Sequence, residues 1–324
     1  MRQQIAVLGI KGSVLVLRNG KTLLNYATEN TTDTSYLINS VQKSMTAAMV
    51  MHEVQAGKLS LHDRLDKFLP DVPGAKKVTI KHLLTMTAGL ELEPGAKLGS
   101  EYFISDEDNL QRDIAKTIFK PQMLGQWYYS SLNYVYLCAV MSKVTHKSYE
   151  QLFNQLYIKP LRLKQTAFLW ANPEQLQASG LAMGMQYHRG QYVPIRRKQA
   201  LRDAHNELGA GSIVMSNHDI VKTLHYILAG KLLSAKSRKQ LYHSQPPYYY
   251  GGGFYNDDQL KLKTANGAGA GYYTFMRSTN DAKTMIIIQS NRTRHGQFDR
   301  LKPEIDALMW QLLDVKPSNE NITG

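Results

Sequence analysis

Apolar and polar positions form their clearest patterns at the two ends of the chain. Residues Gly12–Arg18 are apolar and β-branched, Asn19-Gly20 is a two-residue turn signal, and Lys21–Ala27 returns, which predicts a β-hairpin. The polar stretch 28–35 reads as a loop. Over residues 41–55 the apolar side chains Met45, Ala48, Met49 and Val54 recur at helical spacing, and Gly57 is placed to end the helix. Helical patterns follow at 80–86, 108–118, Leu132–Thr145 and 149–157, and at Asn217–Leu228 with Ser216 as its cap. Strand signals return in the aromatic, glycine-rich stretch 248–255 and in 271–277 and 283–289, which flank a turn at 278–281. A last helix is expected over 298–313. The short run after Met1-Arg2-Gln3-Gln4 reads as a strand.

Strands at both ends around a largely helical middle predict an α+β fold. Both termini would build one antiparallel sheet flanked by helices, beside a mostly helical lobe. The expected organisation is one two-lobed domain, residues 1–324, with a sheet lobe at about 1–62 and 205–324 and a helical lobe at about 63–204. Ligands often bind where two lobes meet.

Composition narrows the classes. With 324 residues, 43% apolar and 20% charged, the chain is neither disordered nor collagen-like. Apolar runs such as 285–288 and 47–51 are far shorter than the roughly 20 residues that cross a bilayer. The first residues lack a signal peptide's cleavage pattern, so an exported protein would have its leader outside this chain. Lys plus Arg number 39 against 26 Asp plus Glu, a net charge of +13. That excess favours a polyanionic partner. Basic clusters lie at Lys76-Lys77 with Lys81, at 189–202 and at 231–239. No zinc-finger, RNA-binding or basic-zipper spacing accompanies them, so nucleic acid is not the expected partner. Cys138 stands alone in an apolar run, and the ten histidines form no HExxH pair. Neither a metal nor another cofactor is expected.

Ser40-Val41-Gln42-Lys43 is the chain's only Ser-x-x-Lys. At the start of a helix, residues three apart share a face, so the Lys43 amine can reach the Ser40 hydroxyl. A serine becomes nucleophilic when a neighbouring base takes its proton. Serine at a helix start is also an ordinary cap, so the tetrapeptide alone leaves both readings open.

The surrounding residues carry a resemblance. Residues 39–48, followed by 57–63, 68–71 and 78–90, resemble in order the nucleophile segment and following blocks of serine β-lactamase-like proteins. That family includes class C β-lactamases, DD-carboxypeptidases (penicillin-binding proteins), related esterases and D-aminopeptidases. Later blocks at 126–134, 209–219 and 267–273 extend the resemblance over nearly the whole chain. It implies a β-lactamase/transpeptidase-like fold, with Ser40 as nucleophile and Lys43 as base.

The resemblance also implies a Tyr-x-Asn motif. Within Trp127-Tyr128-Tyr129-Ser130-Ser131 the best register makes Tyr129 the proton relay, with Tyr128 as rival, and puts Ser131 where asparagine is usual. Serine offers one hydroxyl and no amide, so the usual contact to an acyl-amide is altered. A third motif, normally Lys or His, then Thr or Ser, then Gly, aligns with Ala265-Asn266-Gly267, and a shifted register would bring in Lys263. Asn266, Gly267 and the backbone of Ala268 are thus expected beside substrate, Ala268 supplying an oxyanion N–H.

The family's cation at position 265 holds a substrate carboxylate, which Ala265 cannot do. The resemblance, this loss and the basic surface together point to D-alanyl esters of (lipo)teichoic acid or another anionic envelope polymer as substrate. The protein would then act at the cell surface, with membrane contact only through an anchor outside this chain or a lipid-linked substrate. A D-Ala-D-Ala carboxypeptidase acting on muropeptide is the alternative, with Lys263, Arg277 or Arg292 as carboxylate anchor. A non-catalytic protein that binds envelope polymer is the third reading.

Overall fold

The computed structural model describes residues 1–315; residues 316–324, the end of the expected sheet lobe, lie outside the described residues. A seven-stranded sheet organises the fold. It runs from Tyr250–Gly251 through Phe254–Asp257, Leu262–Gly269, Tyr272–Thr279, Met285–Ser290 and Gly12–Arg18 to Lys21–Ala27. Every neighbouring pair is antiparallel. The two ends of the chain meet inside it, where Val14 lies opposite Ile288 and Val16 opposite Ile286. The fold is α+β: one antiparallel sheet with helices on both faces.

Both faces of this sheet are covered. That is why residues 285–288 are uninterruptedly apolar instead of alternating with polar ones. Val14, Val16, Phe275, Ile286 and Ile288 pack with Ile5 and Leu8 and with Leu301, Ile305 and Met309 of the final helix Gln297–Leu312. On the other face Met276, Met285 and Ile287 join the larger core around the helix Gln42–Gln55. That helix is buried almost all round, which explains why its apolar pattern is broader than a single stripe.

Several expectations need correction. Residues Arg2–Val7 form a helix and not a strand, because Ile5 and Leu8 dock on the sheet face instead of pairing at its edge. The middle of the chain also supplies strands. Thr166–Phe168 pairs with Ile213–Ser216, and Met185–His188 pairs with Arg292–Thr293, so these ladders cross the expected boundary near residue 204. The helix expected over 108–118 is Asp106–Ala115, and residues 117–118 instead begin the strand Thr117–Phe119. The helix expected over 149–157 is Tyr149–Phe153, continued by a π-helical segment, Asn154–Ile158.

One contact sets how closely the sheet seats on the central helix. Gly253 has φ +81°, and a Cβ there would meet the Ser44 nitrogen at 2.3 Å. Gly253→Ala is therefore expected to destabilise the protein by about 1–3 kcal/mol, read from urea unfolding. An unchanged midpoint would show that the sheet edge and the helix are not in this contact.

Candidate active site

Ser40 sits in the 3-10 turn Asn39–Val41 that leads into the helix Gln42–Gln55. Asn39 holds a left-handed φ of 47°, a conformation asparagine tolerates better than most side chains. Its amide donates to the Gly269 carbonyl at 3.3 Å, tying the turn to the end of the strand Leu262–Gly269.

Lys43 is 1% exposed. Its Nζ donates to Ser40 Oγ at 2.8 Å and to the Ala210 carbonyl at 3.3 Å. Among the described residues no carboxylate forms a salt bridge with it. The neighbouring helix residues fix the segment that supplies Ala210. Gln42 Oε1 accepts from the backbone N–H of Ser212 and Ile213, at 2.5 and 3.0 Å, and Thr46 Oγ1 donates to the Gly209 carbonyl at 2.5 Å. Residues 209–213 are thereby stitched along the helix that carries Ser40 and Lys43.

Of the two candidate tyrosines, Tyr129 faces the pair: its ring centroid lies 5.2 Å from Lys43 Nζ. Tyr128 is the more exposed, held by a backbone bond to Met86 at 2.9 Å. Tyr129 packs edge-on against Tyr250, and Trp127 stacks on Tyr248 with centroids 4.1 Å apart, so one wall of the site is aromatic. Burial pushes the phenols of Tyr250 and Tyr255 up, which keeps them neutral neighbours of Tyr129.

Strand alternation sorts the third-motif residues. Ala265 and Gly267 face the nucleophile turn; a Cβ on Gly267 would meet the Ile38 carbonyl oxygen at 2.2 Å. Asn266 does not bring its side chain to Ser40. It points to the opposite face, where its Oδ1 accepts from Arg277 Nη1 at 2.8 Å. Ala268 lies between two glycines that both approach Asn39, so its backbone runs beside the nucleophile turn. Phe254–Asp257 pairs only with residues Leu262 to Thr264, so among the described residues the other side of residues 265–269 has no strand partner.

The three cations considered as carboxylate anchors are engaged elsewhere. Arg277 is 2% exposed and bonded to Asp306 on the final helix. Arg292 pairs with Glu29 at 2.7 Å. Lys263 is buried, donates to Asn256 Oδ1 at 2.6 Å, and lies 4.1 Å from the Tyr242 ring centroid.

Sequence reasoning missed Glu207. It lies at the end of the helix Arg197–Asn206, and its Oε2 accepts from Ser131 Oγ at 3.3 Å. Nothing in its local sequence marks it. Only the folding of residues 209–213 onto the central helix brings it to the site.

The family model described as Beta-lactamase matches residues 3–308. A Bacillus subtilis (strain 168) protein named as a penicillin-binding protein, PbpX, is 27% identical over 94% of this chain and 76% of its own length. A Staphylococcus aureus protein named Teichoic acid D-alanine hydrolase is 29% identical over 72% of this chain, which spans only 58% of that protein. Among solved structures, FmtA from Staphylococcus aureus superposes with a TM-score of 0.80 at 24% identity, over 98% of this chain and 88% of its own. The D-amino acid amidase from Ochrobactrum anthropi SV3 gives 0.79 at 19% identity, over 96% and 95%.

Burial pushes the Lys263 amine down to about 7, against a smaller opposing effect of Asp258. Between about pH 7 and 10.5 the unfolded chain holds a proton there that the folded chain has shed, so this group makes stability rise with pH. Lys263→Met removes that contribution. The stability of the wild type relative to the variant is expected to increase from pH 7 to 9.5, by urea unfolding at each pH. A difference independent of pH would contradict a neutral buried amine.

Proposed function

The chain belongs to the Beta-lactamase family of serine hydrolases, and from that premise we propose that it removes D-alanyl esters from teichoic acid at the bacterial cell surface. Ser40 Oγ attacks the ester carbonyl carbon while the Lys43 amine takes the hydroxyl proton. The C–O bond to the polyol breaks, and the leaving alkoxide receives a proton relayed through Tyr129. Backbone N–H groups of Ser40 and Ala268 hold the oxyanion, an arrangement in which one donor typically contributes about 10²–10³ in rate. Water then attacks the acyl-Ser40, releasing D-alanine and restoring the hydroxyl.

The contact of 2.8 Å between a buried lysine amine and Ser40 Oγ supports acyl transfer. The choice of an ester substrate rests on Ala265. It stands on the face of the strand turned to the nucleophile, where a cation would hold a carboxylate, and Lys263, Arg277 and Arg292 are each held by other partners. A D-alanyl ester has no free carboxylate to anchor. The net charge of +13 suits a polyphosphate carrier. The name of the Staphylococcus aureus relative is consistent with this substrate.

Release of D-alanine from D-alanylated lipoteichoic acid tests the reading. The wild type is expected to release it, and Ser40→Ala to lose about 10³-fold or more with an unchanged circular dichroism spectrum. A protein that releases no D-alanine from the polymer but trims D-Ala-D-Ala peptides is a carboxypeptidase instead. Polymer binding without turnover by the wild type would make it a non-catalytic binder.

A further inference from the structure

Glu207 is a carboxylate inside the candidate site that the acyl-transfer steps leave unused. Its backbone is fixed: its carbonyl accepts from the N–H groups of Ala210 and Gly211, both at 2.8 Å. Ala210 is the residue whose carbonyl meets Lys43. A Cβ on Gly211 would stand 2.9 Å from Glu207 Oε2 and 3.4 Å from Asn39 Cα, so the carboxylate lies close to the residue that precedes the nucleophile. On its other side Ser131 donates to it, two positions beyond Tyr129.

Ser131 supplies one proton to a group with room for about four hydrogen bonds. Among the described residues no Lys, Arg or His nitrogen lies within 4.0 Å of the Glu207 carboxylate. It is a partly buried carboxyl group beside the nucleophile with unused acceptor capacity and, among the described residues, no basic partner. Substrate can provide that partner.

We propose that Glu207, with Ser131, forms the subsite for the free α-ammonium group of an aminoacyl ester. The ammonium of such an ester is two bonds from the carbonyl carbon that Ser40 attacks, so its anchor must lie beside the nucleophile. A peptide substrate differs at this point, because its α-nitrogen is acylated and carries no charge. Ser131 in place of an asparagine removes an amide suited to that acylated nitrogen, and Glu207 puts an anion in reach. The two changes act in the same direction. The inference deepens the esterase reading and rests on it, and it names the chemistry of the acyl group: an unblocked amino acid.

The test compares the glycerol ester of D-alanine with the glycerol ester of N-acetyl-D-alanine, using the full chain. The readout is the ratio of kcat/KM for the two esters. The wild type is expected to prefer the free-amine ester, and Glu207→Gln to lower the ratio by about 10–100-fold, as for one charge-assisted hydrogen bond. Ser131→Ala is expected to lower it less, because the carboxylate remains. A ratio unchanged in Glu207→Gln overturns the proposal, even if both rates fall, since an acid–base or structural role would slow both esters alike. A wild type that cleaves only the N-acetyl ester also overturns it, while leaving an acyl hydrolase standing. A wild type that cleaves neither ester and releases no D-alanine from lipoteichoic acid removes the esterase reading and this inference together.

Discussion

The site depends on a lysine amine buried in the protein interior. Lys43 cannot be placed there unless the surrounding groups take up its hydrogen bonds, because an unpaired buried cation costs several kcal/mol. The fold meets this with two oxygens, Ser40 Oγ and the Ala210 carbonyl, and brings the second from a segment more than 160 residues away, as the pair's sequence separation of 167 shows. Gln42 and Thr46 hold that segment in place from the same helix. The helix that presents the nucleophile is therefore also the surface on which the rest of the site is assembled.

That arrangement explains which parts of the site could be read from sequence. Ser40 and Lys43 are neighbours within one helical turn, so local spacing offered the pair, and the resemblance of the surrounding residues chose catalysis over a helix cap. Tyr129 needed family resemblance, and its ring is indeed the one beside Lys43. Glu207 left no trace, since a carboxylate after a polar helix looks like any solvated residue. Asn266 shows the opposite error. The strand position was legible, but a shift of one residue decides which face a side chain takes, and its partner Arg277 is visible only once the strands are paired.

The fold was legible where the helical run is long or the turn and cap chemistry is strong. The Asn19-Gly20 hairpin, the helix Leu132–Thr145 and the Ser216 cap follow from local rules and stand where expected. The N-terminal helix was missed because six residues with one buried side chain carry too little pattern to separate helix from strand. The strands at 166–168 and 185–194 were missed for a different reason. All are short: Thr166–Phe168 takes its partner far away in sequence at Ile213–Ser216, while Met185–His188 and Gln191–Pro194 form a local, largely exposed hairpin whose apolar alternation is too weak to mark strands.

The meeting of the two chain ends within one sheet has a consequence for biogenesis. Gly12–Arg18 finds its second neighbour only in Met285–Ser290, so a ribosome must have made everything from residue 12 to residue 290 before the sheet can close. Pairings of such high contact order form slowly and leave apolar strands uncovered in the meantime. A nascent chain would thus carry the nucleophile long before it carries the strand that shapes the cleft. The cleft that the proposed chemistry needs is complete only once residues 262–290 have joined the sheet, so a shorter nascent chain lacks it.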